Sequence, residues 1–414
     1  MLLIAFGSTL FNSIQRTITL NVWGSGFTEQ QFQLLTKNIK RTSKNPINFK
    51  YTEMEADSYE SDLLDSFIHS ESPDIFLINN TQLGKFKKLI SPMELNNKYN
   101  LTNLQKDFPT IISEEAVLDN SLMLMPLSID SLAMYYNRNI FDSLAIPNPP
   151  TTWGSVIELI PSLRQLDSYN RISRSPIGMG DSKSITNGPD IVALLTMQLN
   201  GKIIDTAQQR VVVSEQARVN DSYINPAQEA LKFYCEFSQS NNQNYSWNSS
   251  FGNDLDAFAN NQLATYIGYF SDKSLLNEKN PNLVYGISEM PQLKSGSNVN
   301  FGKFWGFTVS AQAKNKNVAW EALQLLANEE NVKGLLKTSK FPPANRNLIS
   351  EYYNDPDISV FAKQALNSKS FYNPDVQAAK QAFWNTIDSA NQSKNYKNSI
   401  EELNQNLTNL MYNN

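Results

Sequence analysis

The side chains most often used in enzyme and metal chemistry are scarce in this chain of 414 residues. It contains one histidine, His69, and one cysteine, Cys235. A disulfide within the chain, a Cys/His zinc site and a relay of two imidazoles are therefore excluded. Apolar neighbours favour a buried helix position for Cys235, and His69 ends a predicted helix, where the helix dipole favours an imidazolium without any catalytic role. We expect no catalytic residue, no metal site and no cofactor.

Side chains suited to holding a small polar ligand are better represented. Trp23 ends the first predicted strand, and Gly24 and Gly26 leave the backbone beside it open, so an indole face is available to stack on the apolar face of a sugar ring. Asn79 ends a later strand and carries a donor and an acceptor on one amide, the combination that reads sugar hydroxyls. The alternatives are a core position for Trp23 and a turn role for Asn79.

Two aspartates are further candidates for ligand contacts. Asp130 lies between two apolar runs, where its carboxylate must be satisfied by a ligand hydroxyl, an amine or a protein donor. Asp181 stands in a loop opened by Gly178 and Gly180, and it is either a ligand contact from the second half of the molecule or a turn residue. These glycines lack the third glycine of a dinucleotide-binding loop, so no dinucleotide site is predicted.

Four more residues complete the predicted ligand-binding set. Trp247 has no apolar neighbours in sequence, which is typical of a stacking platform or an interface anchor. Tyr269 ends a predicted strand, and Trp305 stands near glycines at the start of another, which favours a cleft position over the core. Arg346 offers a bidentate clamp for an acidic ligand, although an exposed surface arginine is the commoner outcome.

The charges of the chain argue against two other functions. Thirty-five basic and 40 acidic residues leave a net charge of -5, which supplies no broad positive field for nucleic acid. A glycoside-cleaving enzyme would need a facing pair of carboxylates. The adjacent acid pairs, Glu114–Glu115, Glu329–Glu330 and Glu401–Glu402, are predicted to lie on solvated helix faces, and no catalytic pair stands out.

Strands and helices alternate in the first part of the chain. Apolar alternation predicts strands at 18–23, 47–51 and 74–78, with a helix following Thr28 and another at 58–69. This order predicts a parallel α/β sheet, in which ligands bind beyond the carboxyl ends of the strands. The loops that follow Trp23 and Asn79 should therefore lie on the same rim.

The later part of the chain is rich in predicted helices. We interpret 122–137 as a first crossing between two lobes, followed by a helix at 154–166 that Thr152 caps. Strands at 263–269, 283–287 and 305–309 suggest that the chain returns to the first sheet. Because the chain has only 16 glycines, we expect asparagines to take positive-φ positions in its loops. Further helices are predicted at 190–199, 227–238, 318–328, 331–337, 376–390 and 399–411.

The first residues form an apolar run at 1–11, which is too short to span a membrane and has no Lys or Arg before it. We interpret 1–16 as the remnant of an export signal or a membrane anchor; the alternative is an ordinary buried N-terminal segment. The total length predicts two domains.

Several short segments, in order and over 17–410, resemble one known family. They are the opening strand at 18–23, SPDIF at 72–76, LMPLS at 124–128, AMYYN at 133–137, PPTTW at 149–153, FANNQLA at 258–264 and AWEAL at 319–323. Together they resemble the extracellular solute-binding proteins of ABC importers, in the group that includes the maltodextrin and other sugar receptors. The resemblance implies an α/β, two-lobed periplasmic-binding-protein-like fold, in which each lobe is a mainly parallel sheet flanked by helices and hinge strands join the lobes.

The resemblance also implies how the chain is divided and what it does. We expect 17–128 and 265–312 to form lobe one, and 129–264 and 313–414 to form lobe two. The family resemblance implies an extracytoplasmic monomer that captures a carbohydrate, an oligosaccharide above all, without catalysis. It would deliver this ligand to the permease subunits of an ABC importer and lie at the membrane through its N-terminal segment or its permease.

Other ligands remain open at this point. The same fold could bind a polyamine, which would need several carboxylates in the cleft, or a polyol phosphate, which would need Arg or Lys there, or a peptide. A glycoside-cleaving enzyme is the less favoured alternative. Asp130 together with aromatic residues favours a neutral sugar or a cation over an anion.

Overall fold

The computed structural model describes residues 17–39, 46–205, 208–219, 221–294, 298–339, 341–371 and 375–412. The signal or anchor remnant predicted at 1–16 lies outside these residues. None of the helices in the described ranges combines the length and the apolar character needed to cross a membrane.

Eighteen strands and seventeen α-helices make up the described chain. The strands are β1 (Ile18–Gly24), β2 (Ile47–Glu53), β3 (Ile75–Asn79), β4 (Met93–Glu94), β5 (Val117–Leu118), β6 (Ser121–Leu122), β7 (Met125–Ser131), β8 (Ala133–Asn137), β9 (Gln165–Leu166), β10 (Ile172–Ile177), β11 (Ile204–Asp205), β12 (Arg210–Val211), β13 (Ala217–Val219), β14 (Ser222–Ile224), β15 (Leu263–Gly268), β16 (Tyr285–Ser288), β17 (Asn300–Val309) and β18 (Ser368–Lys369). The helices are α1 (Glu29–Thr36), α2 (Tyr59–Ile68), α3 (Leu83–Phe86), α4 (Leu101–Asp107), α5 (Thr110–Glu115), α6 (Arg138–Ser143), α7 (Trp153–Leu163), α8 (Gly188–Gln198), α9 (Pro226–Glu236), α10 (Asp254–Ala259), α11 (Asp272–Lys279), α12 (Lys316–Leu326), α13 (Glu329–Ser339), α14 (Arg346–Glu351), α15 (Ser359–Ala365), α16 (Val376–Ser393) and α17 (Tyr396–Tyr412).

Small polar residues fix many of the helix starts. Thr28 and Thr152 accept hydrogen bonds from backbone N–H groups in the first turns of α1 and α7, and both form capping boxes. Asparagine also sets the loops, as the low glycine content predicted. Four of the nine described non-glycine residues with positive φ are asparagines, namely Asn120, Asn170, Asn200 and Asn261, and this expectation is confirmed.

The first lobe is built on a sheet in the order β18-β17-β3-β1-β2, with β7 added beside β17. β1 pairs in parallel with β2 and β3, whereas β17 runs antiparallel to β3 and β7. The first four residues of β3 are buried, as expected for a strand covered on both faces. Because β1 and β3 are parallel, the loops that follow Trp23 and Asn79 leave the same edge of the sheet, as the sequence predicted.

The second lobe is built on a sheet in the order β16-β8-β15-β10-β9. β15 is entirely buried and pairs in parallel with β10 and antiparallel with β8. This sheet differs from the mainly parallel one that we expected, because β8 runs antiparallel to both β15 and β16, and β9 runs antiparallel to β10. Helices α7, α8, α9, α16 and α17 contribute buried side chains to the core of this lobe.

The assignment of segments to lobes also differs from the expected one at two places. Residues 265–288 join the second lobe, because β15 and β16 both pair with β8. Residues 316–351 join the first lobe, because α12 follows β17 and packs against it, and α13 packs against α1. The apolar side chains of α12, α13 and α14 enter the same core as β1 and β3.

Three stretches of the chain link the two lobes, and the third runs from α14 in the first lobe through α15 to α16 in the second. β7 ends in the first sheet at Ser131 and β8 begins in the second at Ala133, while β17 leads from the second core at Phe301 back to the first core at Phe304. The carbonyl oxygen of Leu132 accepts hydrogen bonds from the side-chain amides of Asn300 at 2.8 Å and Gln364 at 3.0 Å. Buried side-chain amides therefore hold the hinge segments together at Leu132.

Candidate functional site

A cavity of about 380 Å³ lies between the two lobes. The first lobe contributes Glu60, Asn79, Thr81, Gln82, Lys85 and Trp305 to its lining, and the hinge strand contributes Lys303. The second lobe contributes Tyr269, Ser271, Asp375, Val376, Gln377 and Lys380. A molecule in this cavity would therefore touch both lobes at once.

Strand β17 presents two side chains to the cavity. Lys303 and Trp305 are both half-buried, and between them Phe304 is fully buried in the core of the first lobe. This alternation follows from the two-residue period of a strand. Trp305 lies opposite Asn79 in the β17–β3 ladder, so an aromatic face and an amide stand side by side at the carboxyl end of β3.

Asn79 and Gln82 form a capping arrangement at the rim. Oδ1 of Asn79 accepts hydrogen bonds from the N–H of Thr81 at 3.0 Å and from the hydroxyl of Thr81 at 2.6 Å. Oε1 of Gln82 accepts a hydrogen bond from the N–H of Asn79 at 3.1 Å. Within the described chain, no acceptor engages Nδ2 of Asn79, so this donor is available to a ligand hydroxyl.

A paired acid and base lie on the first-lobe side of the cavity. The carboxylate of Glu60 forms an ion pair with the ammonium of Lys85 and accepts a hydrogen bond from Nε2 of Gln82 at 2.8 Å. Burial pushes the pKa of Glu60 upward, but these donors outweigh it and hold that pKa below its usual range. This part of the lining is polar but carries no excess charge.

A second charged group lies where the hinge strand meets the second lobe. Nζ of Lys303 lies 2.7 Å from Oδ2 of Asp190 and 4.1 Å from the centroid of the Tyr269 ring. The hydroxyl of Tyr269 donates to the same Oδ2 at 2.7 Å. Burial tends to raise the pKa of Asp190, but the ammonium groups of Lys303 and Lys380 overcome this effect and lower it. Asp190 is thus ionised and held in contact by Lys303 and Tyr269.

Asp130 supports the site from behind. Its buried carboxylate accepts hydrogen bonds from the N–H groups of Phe270 at 2.8 Å and Ser271 at 3.1 Å. Burial raises the pKa of Asp130 to about 7, although the two N–H donors act in the opposite direction. The sequence left open whether Asp130 binds a ligand hydroxyl, an amine or a protein donor, and the structure shows protein donors. Asp130 does not line the cavity, but it positions the turn that carries Tyr269 and Ser271.

Two other predicted ligand residues lie together in the core of the second lobe. Trp247 is 0% exposed, and its Nε1–H donates to Oγ of Ser184 at 2.8 Å. The hydroxyl of Ser184 in turn donates to the carboxylate of Asp181. Neither Trp247 nor Asp181 lines the cavity. Trp247 instead stacks on Phe251, four residues later in the chain, and it is buried in the core of the second lobe.

The last two predicted residues lie in the first lobe, outside the cavity. Trp23 is half-buried against the core of that lobe, and its carbonyl oxygen accepts a hydrogen bond from the hydroxyl of Tyr59 at 3.2 Å. Nε of Arg346 donates to the carbonyl oxygens of Gln105 at 3.2 Å and Phe108 at 2.8 Å. Arg346 therefore ties α14 to the end of α4, as cations near a helix C-terminus often do.

One acidic residue that was predicted to be solvated is buried. Glu115 is 4% exposed, and its carboxylate accepts a hydrogen bond from Nδ2 of Asn80 at 2.7 Å. Oδ1 of Asn80 accepts from the N–H of Phe304 at 2.9 Å. Burial raises the pKa of Glu115 to about 7. The prediction of a solvated face is wrong for Glu115, although Glu114, Glu401 and Glu402 are exposed.

The cavity continues in both directions along the cleft. A narrower apolar space beside Lys303 and Lys380 is lined by Phe301, Phe371 and Phe383. On the other side, a space of about 450 Å³ shares Glu60, Gln82, Lys85 and Gln377 with the central cavity. The cleft is thus long enough to offer several adjacent contact regions.

Of the eight predicted ligand residues, the structure brings Asn79, Tyr269 and Trp305 together in the cavity. The residues that were missed fall into three groups. Lys303 lies two residues before Trp305 in β17, so strand periodicity could have pointed to it, whereas Thr81 and Ser271 lie just beyond the ends of β3 and β15. Glu60, Gln82 and Lys85 form a second group, from α2 and from the segment that follows β3. The residues from α16, including Lys380, approach through the tertiary fold, and no local signal in the sequence indicates them.

Comparison with known proteins agrees with this geometry. Residues 36–360 match the profile of the family described as bacterial extracellular solute-binding protein. The chain belongs to this family. A binding protein of Brucella abortus is 24% identical to this solute-binding protein over 250 residues, which is 59% of this chain and 57% of the relative. The chain thus matches just over half the length of that relative. A galactooligosaccharide-binding protein of Bacillus subtilis is 33% identical over 118 residues, or 28% of this chain and 27% of that one.

Solved structures match the solute-binding protein over almost its whole length. A cyclo/maltodextrin-binding protein in complex with maltotetraose has a TM-score of 0.72 at 14% identity, with 95% of this chain and 97% of that chain covered. The maltose-binding periplasmic protein of Listeria monocytogenes, in complex with maltose, has a TM-score of 0.70 at 17% identity, with 94% and 97% covered. A solute-binding protein of Thermotoga lettingae bound to tagatose has a TM-score of 0.67 at 15% identity, with 95% and 100% covered. These likenesses establish the two-lobed fold.

Proposed function

We propose that this solute-binding protein works outside the cytoplasm and captures a carbohydrate, in particular an oligosaccharide, between its lobes. It then delivers this ligand to the permease of an ABC importer. The observation that carries the proposal is the position of Trp305 in a cavity between the lobes, next to the free amide donor of Asn79. An aromatic face and hydrogen-bonding groups are what the apolar faces and dense hydroxyls of a sugar require. The sugar-binding names of the relatives support the same choice.

Three of the residues predicted from the sequence are proposed as ligand contacts. Trp305 would stack on a sugar ring, Nδ2 of Asn79 would donate to a hydroxyl, and the ring of Tyr269 would close the second-lobe side. Asp130 is proposed to act indirectly, by fixing the turn at Tyr269 and Ser271. The length of the cleft favours an oligosaccharide over a single ring.

We propose that binding works by closure about the hinge at Leu132 and Asn300. A ligand shifts the balance between open and closed arrangements only when it binds the closed one more tightly. Contacts from both lobes supply that difference, because the ligand can make all of them only when the lobes approach each other. We further propose that the protein acts as a monomer and reaches the membrane through its permease or its N-terminal segment.

Binding without a chemical step fits the carboxylates of the cavity. Glu60 is paired with Lys85, Asp190 with Lys303, and Oδ1 of Asp375 accepts a hydrogen bond from the N–H of Ala378 at 3.0 Å. A glycosidase needs one carboxyl group that can donate a proton and a second that acts as a base or nucleophile. The partners of these three carboxylates favour a receptor over such an enzyme.

A thermal-shift screen tests the proposal. The purified protein is heated with neutral and acidic mono- and oligosaccharides, polyols and their phosphates, polyamines and peptides. A ligand that binds only the folded state adds about 2.7 kcal/mol to the free energy of unfolding at a hundredfold excess over Kd. The melting temperature therefore rises. We expect saccharides to be the class that stabilises the protein. Stabilisation by polyamines or peptides alone would contradict the proposal, as would turnover of aryl glycosides.

A further inference from the structure

Two lysines in the cleft share one carboxylate. Lys303 forms an ion pair with Asp190, and both side chains are largely buried, at 13% and 9% exposure. Lys380 projects from α16 into the same region and lines both the central cavity and the apolar space beside it. Among the residues that the structure describes, no carboxylate forms an ion pair with Lys380. In the described chain, Asp190 is thus the one carboxylate that forms an ion pair with either lysine, and the charge of Lys380 is in excess of these pairs.

The proximity of the two ammonium groups is reflected in the titration of Lys380. The positive charge of Lys303 is the largest influence on its pKa and, together with burial, lowers that pKa. Asp190 acts in the opposite direction but does not cancel the effect. A half-buried cation that is repelled by its neighbour, and that has no ion-pair partner among the described residues, is stabilised by an anion that enters the cavity.

The other charges of the lining do not remove this excess. Glu60 is held by Lys85 and Gln82 on the opposite side of the cavity. Asp375 is the N-cap of α16 and accepts a hydrogen bond from its first turn, so its charge faces the positive end of a helix of 18 residues. The first turns of α16, with Val376 and Gln377, also line the cavity.

We infer that the natural ligand is an acidic saccharide, whose carboxylate or phosphate group lies between Lys303 and Lys380 while its sugar ring lies against Trp305. This inference rests on the proposed function and names its substrate class. It replaces the expectation of a neutral sugar or a cation, which depended on Asp130 lining the cleft. Asp130 instead binds two backbone N–H groups, and lysines take its place at the cavity wall.

The pH dependence of binding follows from the groups around Lys380. Those facing it are Lys303 on β17 and Asp190 on α8, with the ring of Tyr269 against Lys303. An anion between the lysines favours their charged forms, so binding takes up a proton where Lys380 is partly neutral. Affinity for an acidic saccharide should therefore fall as the pH rises through the lowered pKa of Lys380, whereas affinity for a neutral sugar should change little.

Isothermal titration calorimetry on matched ligands tests the inference. The probes are oligosaccharides of glucose, galactose and mannose, together with their uronic acid and 6-phosphate derivatives. The variant is Lys380→Met, which keeps most of the apolar stem, and Lys397→Met on the exposed face of α17 is the matched control. The melting temperature of each variant without ligand establishes that it folds.

We expect an acidic derivative to bind at least about 10-fold more tightly than its neutral counterpart. Lys380→Met should weaken that binding by about 10- to 100-fold and leave any neutral binding within about 2-fold, while Lys397→Met changes neither. The carboxylate and phosphate arms then identify which anion is used. Neutral sugars that bind as tightly as the acidic ones, with no effect of Lys380→Met, would overturn this inference and leave the sugar receptor standing. Binding of none of the saccharides would overturn both.

Discussion

At the scale of single residues, Trp305 is the side chain on which ligand binding should depend most. Its indole lines the cavity, and replacement by alanine removes the proposed stacking surface without touching the core residue Phe304. We expect Trp305→Ala to weaken saccharide binding by about 1 to 4 kcal/mol. Calorimetric titration of the wild type and the variant measures the loss, and an unchanged affinity would show that the site lies elsewhere.

Trp247 provides the matched comparison for that experiment. It is fully buried in the second lobe, where it donates a hydrogen bond to Ser184 and stacks on Phe251. Trp247→Phe removes that hydrogen bond and leaves a small cavity, so we expect a loss of about 1 to 3 kcal/mol in the free energy of unfolding. Urea unfolding gives this value. Saccharide affinity should stay near that of the wild type, and a drop as large as that of Trp305→Ala would contradict the assigned roles.

The residue scale also shows how far local sequence signals reach. Asn79 and Tyr269 lie at strand ends and Trp305 stands directly before Gly306 in a strand, and these signals placed all three in the cavity region. The same reasoning failed for Trp247, because the core of the second lobe covers it, and Phe251, four residues later, stacks on its ring. Lys380 could not be found in this way, since only the packing of α16 brings it next to Lys303.

At the scale of elements, the short helix α5 carries a buried acid that should make stability depend on pH. The pKa of Glu115 is raised from an ordinary 4.5 to about 7 in the folded state. The folded protein therefore binds more protons than the unfolded chain between these values, and its free energy of unfolding should fall as the pH rises through this range. Asp130 and Asp254, whose pKa values are raised to about 7 and about 6, act in the same direction.

Glu115→Gln isolates the contribution of α5. Glutamine stays neutral and can still accept a hydrogen bond from Asn80. We expect the fall in unfolding free energy between about pH 5 and about pH 8 to be smaller in the variant, by on the order of 2 to 3 kcal/mol. Urea unfolding at the two pH values measures the difference. Identical pH dependence in the two proteins would contradict the ionisation assigned to Glu115.

The strand β17 should tolerate little change where it meets β7. The register of the two strands shifts between Trp305 and Gly306, because Ser128 and Pro126 are their partners and Leu127 is skipped. A Cβ atom at position 306 would collide with the side chain of Leu124 and the carbonyl oxygen of Met125. We expect Gly306→Ala to destabilise the protein by about 1 to 3 kcal/mol and to weaken ligand binding through Trp305. Wild-type stability and affinity in this variant would argue against the close approach.

Elements were predicted better than their assembly. Hydrophobic periodicity located β1, β2, β15, α2 and α16. Each of these elements is buried on one face or along its whole length, so its apolar residues recur at a regular spacing in the sequence. It did not reveal that β15 joins the second sheet and α12 the first lobe, since pairing partners far apart in sequence decide both. The family resemblance supplied the two-lobed fold, whereas the lobe boundaries required the structure itself.

At the scale of the whole molecule, closure on a ligand requires two lobes that keep their own cores and a hinge between them. Each lobe has its own core, and buried amide hydrogen bonds join the crossing at Leu132 to Asn300 on the second crossing and to Gln364 on the third. Such an arrangement allows the lobes to move as bodies while the cavity walls keep their shape. Binding should therefore order the cleft without rearranging either core.

Hydrogen–deuterium exchange with and without a saccharide found by the screen tests the central claim most directly. If the ligand lies between the lobes, protection should increase at segments of both lobes that line the cavity, namely 79–82, 269–271, 303–305 and 376–380. Protection confined to one lobe, or to surfaces outside the cleft, would contradict a receptor that closes on its ligand.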